Sequence, residues 1–280
     1  MARRHYENFP VASLLVPARL RPHVCAVYAF ARAADDFADE SHYAGRRLEL
    51  LDGWEAALGA CVNGTSGHPV FAALGHTIRA FDMPLAPFSD LLSAFRQDVS
   101  VTRYADFARL LDYCRRSADP VGRIVLWLFG YRDAGRQGWS DAICTALQLA
   151  NFWQDVAVDG RKGRIYLPQD DMARFGVSEA EVLAGRAEDG FRRLLAFQVA
   201  RTREWFQRGR PLCGAVDGRL RMELRVTWLG GMAILDAIEA AGFDTLSARP
   251  AHRAADRLML LANGLLPGRF DHAYAGPAHA

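Results

Sequence analysis

Two apolar segments that each end in a cluster of acidic residues constrain the fold of this chain most strongly. Residues 24–31 and 143–158 are apolar on nearly every side of a helix, a pattern typical of helices buried in the middle of a domain. The first acidic cluster, Asp35-Asp36-Phe37-Ala38-Asp39-Glu40, follows the first segment, and the second acidic cluster, residues 151–159, closes the second. Carboxylates in the last turn of a helix oppose its macrodipole, and like charges four residues apart repel. We therefore expect cations next to both clusters.

The spacing within the clusters favours a magnesium site. In a helix, Asp35 and Asp39 lie on one face, and so do Asn151, Asp155 and Asp159. Ionised carboxylates on an apolar helix are costly unless they are paired or bind a metal. Mg²⁺ takes one or two protein carboxylates and completes its octahedron with water and phosphate oxygens. The pattern predicts a diphosphate held through Mg²⁺ at the mouth of an apolar cavity.

Basic residues accompany both clusters. Arg32 lies one turn before Asp35, and the basic loop, residues 161–170, follows Asp159. A single Asp-x-x-x-Asp pair is more often a solvated helix face, and Arg32 could simply pair with Asp35 or Asp36. Two copies on apolar helices favour the functional interpretation. Competing motifs (His-Glu-x-x-His, an EF-hand loop, a P-loop, Gly-x-Gly-x-x-Gly) do not occur in the sequence.

Composition excludes several classes of protein. The 280 residues carry a net charge of +2, which gives no electrostatic basis for binding nucleic acid. The five cysteines are widely spaced and form no Cys-x-x-Cys pair, so we expect small buried residues in a reducing cytosol. The N-terminus does not resemble a signal peptide, and no apolar run reaches the ~20 residues that span a bilayer. We expect a cytoplasmic protein that attaches at most peripherally to the inner membrane.

Helical periodicity predicts one all-α domain over residues 1–280, with a loose tail from about residue 268. Pro22 suits the first turn of the first helix, and Ser178 begins a short helix before Glu181. Ser140 and Asp141 are expected to cap the helix of the second acidic cluster, which Gly160 should end. Apart from the helix of the second acidic cluster and the short helix at Ser178, the predicted helices cover residues 22–40, 46–60, 71–81, 88–99, 105–117, 121–129, 191–208, 219–241 and 251–265.

These motifs resemble the squalene/phytoene synthase family from His5 to about Leu265. The resemblance includes Tyr28 and Arg32 before the first acidic cluster, Arg164-Ile165-Tyr166-Leu167-Pro168 after the second, and the helix break in residues 113–122. Residues 5–13 and 147–156 resemble one bacterial branch, the hydroxysqualene synthases of hopanoid biosynthesis. Two positions depart from the branch pattern: Asp119, where Asn is common, and Gly160, where an aromatic residue is common.

The resemblance implies an isoprenoid synthase fold around a central apolar cavity, with Mg²⁺ as cofactor. It implies catalytic roles for the four cluster aspartates and for Tyr28 and Tyr166, which contact the diphosphate or position the metal ligands. The implied metal ligands are Asp35, Asp39, Asn151, Asp155 and Asp159, and the implied substrate-binding residues are Arg32, Arg164, Asn151, Gln148, Phe9 and Phe30.

The implied reaction converts presqualene diphosphate and water to hydroxysqualene. The nearest alternative on the same site is condensation of two farnesyl diphosphates to presqualene diphosphate or squalene. A non-catalytic assembly factor related to the family is an alternative of another class, although all four aspartates are present. Contact with a membrane surface or with neighbouring squalene-pathway enzymes would suit so apolar a substrate and stays open, as does the oligomeric state.

Overall fold

The computed structural model of the chain describes residues 15–250 together with Gly264 and Phe270. Its contacts divide into two compact units, the first made of Met1–Thr102 and Ala108–Thr145 and the second of Arg103–Phe107 and Ala146–Ala280. Within the described residues the secondary structure is helical, apart from one parallel bridge between Arg103 and Ile165. The all-α prediction is confirmed, whereas the single domain stays a prediction. The predicted helix at 251–265 and the loose tail lie outside the described residues, Gly264 and Phe270 excepted.

Prolines begin several helices of the first unit, as the sequence predicts for Pro22. Pro22, Pro69, Pro87 and Pro120 each occupy the first or second helical position, where the missing N–H group costs no intrahelical hydrogen bond. Most predicted boundaries hold within a few residues. In chain order the helices are α1 (Arg21–Asp39), α2 (Arg47–Val62), α3 (Pro69–Phe81), α4 (Ala86–Asp98), α5 (Phe107–Ser117) and α6 (Asp119–Leu128), with a 3-10 turn at Ser41–Tyr43.

An aromatic core holds α1 against α2, α3 and α4. The ring of Phe30 stacks on Trp54 and meets Phe71 and Phe88 edge to face, with centroids 5.6–6.3 Å apart. The indole N–H of Trp54 donates to the Phe30 carbonyl at 3.2 Å, which satisfies the one polar atom of that ring. Each such ring contributes roughly 1.5–3 kcal/mol by leaving water, so this cluster anchors the helix that carries the first acidic cluster.

The α7 helix (Ala134–Gln154) begins earlier than the sequence predicts. Ser140 and Asp141 do not cap it; the carboxylate of Asp133 accepts the amide N–H of Arg136 at 2.9 Å and caps the helix instead. Ser140 is only 3% exposed and lies inside the helix, where its hydroxyl faces Gly122 of α6. The prediction was wrong because a second Asp upstream supplies the cap, and the buried Ser140 serves helix packing.

The second unit is formed by the end of α7 and six further helices. Ser178 and Glu181 form the predicted capping box, with the Ser178 hydroxyl accepting from the Glu181 amide at 3.2 Å. The helices are α8 (Val156–Arg161), α9 (Gln169–Arg174), α10 (Glu179–Leu183), α11 (Asp189–Gly209), α12 (Leu212–Ala215) and α13 (Gly218–Ala240), and α13 packs against α11 and α12.

The helix α1 is buried on one side rather than all round. Val24 and Val27 are buried, whereas Cys25 is exposed and Tyr28 is half-buried. The expectation that the cysteines are small buried residues therefore fails for Cys25, although Cys61, Cys114 and Cys213 are buried. No helix in the described part of the chain is both long and apolar enough to cross a membrane.

Candidate active site

Four of the five predicted site residues of α1, together with Asp36, form one stripe along the helix. Tyr28, Arg32, Asp35 and Asp36 are half-buried, and Asp39 in the last turn is exposed. Their spacing of three or four residues places them on the same face. Of the buried residues of α1, Ala26 and Phe30 lie on the opposite face, whereas Val24 lies one turn before Tyr28 on the same side. The aromatic core therefore orients a polar stripe away from itself.

Arg32 supplies the cation that the first acidic cluster needs. Its guanidinium donates to Asp35 at 3.0 Å and also pairs with Asp36. All three side chains are between 29% and 39% exposed, so solvent screens each pair to a few tenths of a kcal/mol. The arginine offsets the repulsion between neighbouring carboxylates within one helix, as its position in the sequence allows.

The second acidic cluster lies on a bent helix rather than a continuous one. The α7 helix ends at Gln154, and Asp155 has φ −104° and ψ 14° before α8 begins at Val156. Hydrogen bonds still bridge the bend, from the Asp155 amide to the Asn151 carbonyl at 2.9 Å and from the Asp159 amide to the Asp155 carbonyl at 2.8 Å. These bonds keep the spacing of four residues along the backbone from Asn151 to Asp155 and Asp159 across the helix break, and the shared face of their side chains stays a prediction.

Gly160 does not end this helical region, contrary to the sequence prediction. It lies within α8, and the chain reverses at Gly163, whose φ of +76° suits glycine. The Gly163 amide donates to the Gly160 carbonyl at 3.0 Å, and the Arg164 amide donates to the Asp159 carbonyl at 2.9 Å. This Schellman motif connects Asp159 directly to Arg164. Gly160 and Gly163 both satisfy the rule that a glycine often follows the end of a helix. Only Gly163 has the left-handed conformation.

An arginine that sequence reasoning missed pairs with the second cluster. Arg249 makes a two-pronged ion pair with Asp155, with its Nη2 atom 3.1 Å from one carboxylate oxygen and its Nε atom on the other. The adjoining Gln154 donates to the Pro250 carbonyl at 2.6 Å. The Asp155 carboxylate is only 17% exposed, less than Asp35 or Asp36, whereas the Arg249 side chain is 40% exposed and leaves the pair partly screened by solvent. No local pattern around Arg249 predicts this partner, 94 residues away in the chain.

Tyr166 of the basic loop is held in a stack of three rings. It lies parallel to Phe152 of α7, with centroids 3.9 Å apart and planes at 9°. Tyr166 also stacks on Tyr104, with the ring centroids 5.7 Å apart and the ring planes at 23°. Phe152 and Tyr104 are both buried, whereas Tyr166 is half-buried. Tyr166 thus has a fixed orientation next to the helix that carries Asn151.

The remaining predicted substrate-binding residues differ in their placement. Gln148 is half-buried on α7, one turn before Asn151, and Arg164 is half-buried in the basic loop. Phe30 is 0% exposed inside the aromatic core, so its packing does not support a substrate contact. Its neighbours Trp54 and Phe71 already occupy the space around the ring. Phe9 lies outside the described residues.

The donor atoms of both clusters fit Mg²⁺ in their chemistry. Each cluster offers carboxylate oxygens, and Asn151 adds a neutral oxygen, the hard ligands that Mg²⁺ prefers. In this structure arginine side chains form ion pairs with the carboxylates, Arg32 with Asp35 in the first cluster and Arg249 with Asp155 in the second. Among the residues that the structure describes, no group of three or more His, Cys, Asp or Glu side chains is arranged to hold a metal ion. The predicted metal ligands therefore stay predictions.

Asp119, one of the two departures from the branch pattern, is a buried carboxyl in the first turn of α6. It is 5% exposed and accepts the hydroxyl of Thr145 at 2.9 Å. Burial and the nearby charge of Asp141 raise its pKa to about 7, and Thr145 and Arg123 only partly counteract them. Arg123 itself is engaged by Asp141 through two hydrogen bonds of 2.8 and 2.6 Å. Asp119 therefore keeps its proton to a higher pH than an exposed aspartate does, whereas Asn at this position would not titrate.

Comparison with known proteins identifies the family. The squalene/phytoene synthase family model matches residues 2–256, almost the whole chain. The chain belongs to the squalene/phytoene synthase family. Its members are enzymes that act on isoprenoid diphosphates. The resemblance inferred from the motifs is thereby confirmed.

Relatives within the family carry different activities. The chain is 35% identical to the hydroxysqualene synthase of Zymomonas mobilis, over 91% of this chain and 85% of that protein. It is 30% identical to the chloroplastic phytoene synthase 3 of Zea mays, over 95% of this chain, but it spans only 64% of that protein's length. The crystal structure of squalene synthase HpnC from Alicyclobacillus acidocaldarius shares 46% identity and a TM-score of 0.82, covering 86% of this chain and 91% of that one. The isoprenoid synthase fold of the squalene/phytoene synthase family is thus shown.

Proposed function

We propose that this chain is a hydroxysqualene synthase, converting presqualene diphosphate and water to hydroxysqualene and diphosphate. The observation that carries the proposal is the 35% identity with the Z. mobilis hydroxysqualene synthase across 91% of this chain. The 46% identity with HpnC, described as a squalene synthase, supports the same branch. The motifs at residues 5–13 and 147–156 point in the same direction.

In the proposed reaction the carbon–oxygen bond to diphosphate breaks, and the electron pair leaves with the diphosphate. The resulting cyclopropylcarbinyl cation rearranges, water forms the new carbon–oxygen bond, and a proton is released. Mg²⁺, held by Asp35, Asp39, Asn151, Asp155 and Asp159, would act as a Lewis acid toward the leaving group.

The chain's own residues would bind and orient the diphosphate. The guanidinium groups of Arg32 and Arg164 suit bidentate contact with phosphate oxygens, which lysine cannot provide. The hydroxyl groups of Tyr28 and Tyr166 would donate to the same oxygens or to the cluster carboxylates. The ring of Tyr166 is restricted because Phe152 stacks on it at 3.9 Å. Its orientation is set before substrate arrives, which lowers the entropic cost of binding.

Condensation of two isoprenoid diphosphates is the second candidate. The 30% identity with phytoene synthase 3 of Z. mays favours keeping it, because that relative carries the same family pattern with a different named activity. Farnesyl diphosphate would then be consumed to give presqualene diphosphate or squalene. An assembly factor without activity is disfavoured by the four cluster aspartates.

We also propose that the enzyme works in the cytoplasm at a membrane surface or beside a neighbouring squalene-pathway enzyme. The argument is the apolar nature of its substrate and product, which partition into lipid rather than water. Sedimentation with vesicles in the presence and absence of substrate tests this. Equal amounts of protein in the pellet with and without vesicles would contradict contact with a membrane surface.

Two separate incubations test the reaction. The purified full chain with Mg²⁺ receives presqualene diphosphate in one and farnesyl diphosphate in the other, and products are identified by mass spectrometry. We expect hydroxysqualene from presqualene diphosphate, with its oxygen labelled when heavy-oxygen water is used. Consumption of farnesyl diphosphate without any use of presqualene diphosphate would establish the second candidate instead.

A further inference from the structure

A three-residue segment before α5 runs alongside the basic loop. We call residues Arg103, Tyr104 and Ala105 the brace. Although it precedes α5 in the chain, its contacts group it with the second unit. Its backbone forms the parallel bridge with Ile165, and its Tyr104 and Ala105 carbonyls accept from the amides of residues 169 and 170 at 2.9 and 3.1 Å. The brace thus contacts the loop at its middle and at its end.

The Arg103 side chain adds a contact at the start of the loop. Its Nη1 atom donates to the Gly163 carbonyl at 2.7 Å, and its Nε atom lies 2.9 Å from a carboxylate oxygen of Glu179 in α10. The side chain is 24% exposed, so these contacts are partly shielded from solvent. Gly163 is the left-handed residue of the Schellman motif that connects Asp159 to Arg164. Arg103 therefore fastens the turn between a predicted metal ligand and a predicted diphosphate ligand.

The ring of Tyr104 completes the arrangement. It stacks on Tyr166, which stacks in turn on Phe152, so the brace also restricts the second residue expected to contact the diphosphate. Tyr104 itself is 2% exposed. Arg164 and Tyr166 thus belong to a loop whose course is set by residues some 60 positions earlier in the chain.

We propose that Arg103 is a positioning residue for diphosphate binding, holding the basic loop so that Arg164 and Tyr166 are placed before the substrate arrives. This inference rests on the proposed function, because it assigns the loop to the diphosphate of the substrate. A planar guanidinium suits this position, since its Nη1 atom donates to the Gly163 carbonyl while its Nε side lies at ion-pair distance from Glu179. The gain in affinity comes from preorganisation, since a mobile loop must be ordered on binding.

The sequence offers a direct probe of the loop, because Lys162 is the only lysine in the chain. A lysine-specific endoproteinase can therefore cut the native protein at one bond, within the basic loop. Lys162 is exposed, and cleavage of a folded chain reports how often the local segment opens. With Arg103→Met we expect the cleavage rate to rise about tenfold, the effect of losing one charge-assisted hydrogen bond.

Arg203→Met is the matched control. Arg203 lies in the same unit, is 26% exposed, and bridges Asp236 and Glu239 at 2.7 and 2.6 Å, so its loss removes an equivalent pair of contacts elsewhere. We expect its cleavage rate to equal that of the wild type. Equal acceleration in both variants would overturn the proposal, because it would indicate general destabilisation. If Arg103→Met does not fold, Glu179→Gln removes one of the two contacts and should accelerate cleavage to a smaller extent.

Kinetics separate positioning from simple structural support. With the substrate identified above, Arg103→Met should raise KM about tenfold and change kcat much less, and Arg103→Lys should restore part of the KM. Inorganic diphosphate with Mg²⁺ should slow cleavage at Lys162 in the wild type, and a higher concentration should be needed in Arg103→Met. Faster cleavage with an unchanged KM would overturn the proposal.

The proteolysis arm also separates this inference from the proposed function. If presqualene diphosphate is not consumed while inorganic diphosphate still protects Lys162 in an Arg103-dependent manner, the assigned reaction is wrong and the role of Arg103 stands. If hydroxysqualene forms while cleavage and KM are unaffected by Arg103→Met, the reaction is right and the role of Arg103 is wrong.

Discussion

The two acidic clusters carry similar residues but are held in different ways. The first lies on the uninterrupted helix α1, and its cation, Arg32, is three and four residues from its partners Asp35 and Asp36. The second lies at the break between α7 and α8, and the cation of Asp155 is Arg249, from the far end of the described chain. The first arrangement is local and survives wherever α1 is helical. The second requires the tertiary structure of its unit.

The difference teaches that spacing alone is a weak guide to electrostatic environment. Both clusters repeat an Asp-x-x-x-Asp pattern, yet Asp35 is 39% exposed and Asp155 only 17% exposed. The same ion pair contributes more where solvent is excluded. A change at the second cluster should therefore affect activity and stability together, and a change at the first should affect activity almost alone.

Replacing the aspartates should produce the largest effect. Asp35→Ala and Asp155→Ala should each reduce product formation at least about 100-fold, since each removes a proposed metal ligand. Asp155→Ala should also lower the free energy of unfolding by up to about 1 kcal/mol because Arg249 loses a partner that is little exposed, whereas Asp35→Ala should cost under about 0.5 kcal/mol because Arg32 keeps Asp36. Turnover assays and urea denaturation measure the two quantities.

Aspartates paired with arginine elsewhere provide controls for this experiment. Asp52 pairs with Arg96 in the first unit and Asp236 with Arg203 in the second, both at 2.7 Å. Asp52→Ala and Asp236→Ala should leave turnover near the wild-type value. Near-wild-type turnover in Asp35→Ala or Asp155→Ala would contradict the metal-site interpretation of that cluster.

Replacing a glycine at a close helix contact by alanine should give the next largest effect, a loss of stability. Each unit contains one such glycine that we use as a test. A Cβ atom on Gly231 of α13 would lie 2.7 Å from Cε1 of Phe206 and 2.9 Å from Leu147, and one on Gly122 of α6 would lie 2.6 Å from Sγ of Cys144. We expect Gly231→Ala to cost about 2 kcal/mol and Gly122→Ala about 1 kcal/mol, because the buried phenyl ring moves less easily than a cysteine side chain. Thermal and urea unfolding measure both.

Gly230 is the internal control for the glycine series. It neighbours Gly231 in α13, and a Cβ atom there would meet nothing within 4 Å. Gly230→Ala should leave stability unchanged or raise it by up to about 1 kcal/mol through helix propensity. A loss as large as that of Gly231→Ala would show that helix packing does not explain the series.

Asp119 gives the most pH-dependent effect. Unlike Asp35 and Asp155, it accepts a hydrogen bond from a neutral hydroxyl, that of Thr145, and its pKa is raised to about 7 from the 3.8 of a free aspartate. The folded state therefore binds the proton more tightly than the unfolded chain does. Its stabilising contribution is complete below pH 3.8 and is lost as the pH rises to about 7, by at most about 1.4 kcal/mol per pH unit.

Asp119→Asn tests this dependence, since Asn keeps an oxygen acceptor for Thr145 and carries no charge. The variant should be more stable than the wild type at pH 8, and its unfolding free energy should change less between pH 4 and 7 than that of the wild type. Urea denaturation across this range measures the difference. Parallel curves for the two proteins would contradict the buried-carboxyl explanation.

Most helices could be predicted because their signals are local. Apolar periodicity, the prolines in first turns and the capping box of Ser178 and Glu181 all act within one turn of the chain. The pairing of Arg32 with Asp35 or Asp36 was also predictable from its spacing. The start of α7 was not, because Asp133 and Asp141 both satisfy the capping rule and only burial of Ser140 distinguishes them.

Other parts of the candidate site could not be predicted for a different reason. Phe30 is aromatic and lies close to the first acidic cluster in the sequence, as a residue lining a pocket would. The packing of Trp54 and Phe71 around it nevertheless places its ring in the core. Arg249 carries no motif of its own, and its role is visible only beside Asp155. Side-chain direction and long-range pairing decide these cases, and neither is encoded in a residue's neighbours.

By itself the sequence determined the helical class, the family and the chemistry of the two acidic clusters, because hydrophobic period, capping and ligand type are properties of short segments. The tertiary structure alone decided the partner of Asp155, the environment of Asp119 and the attachment of the basic loop to the brace. Arg249 and Asp155 are 94 residues apart, and Arg103 and Gly163 are 60 residues apart. Contacts over such distances depend on where whole helices pack, and packing follows from buried surface rather than from any local pattern.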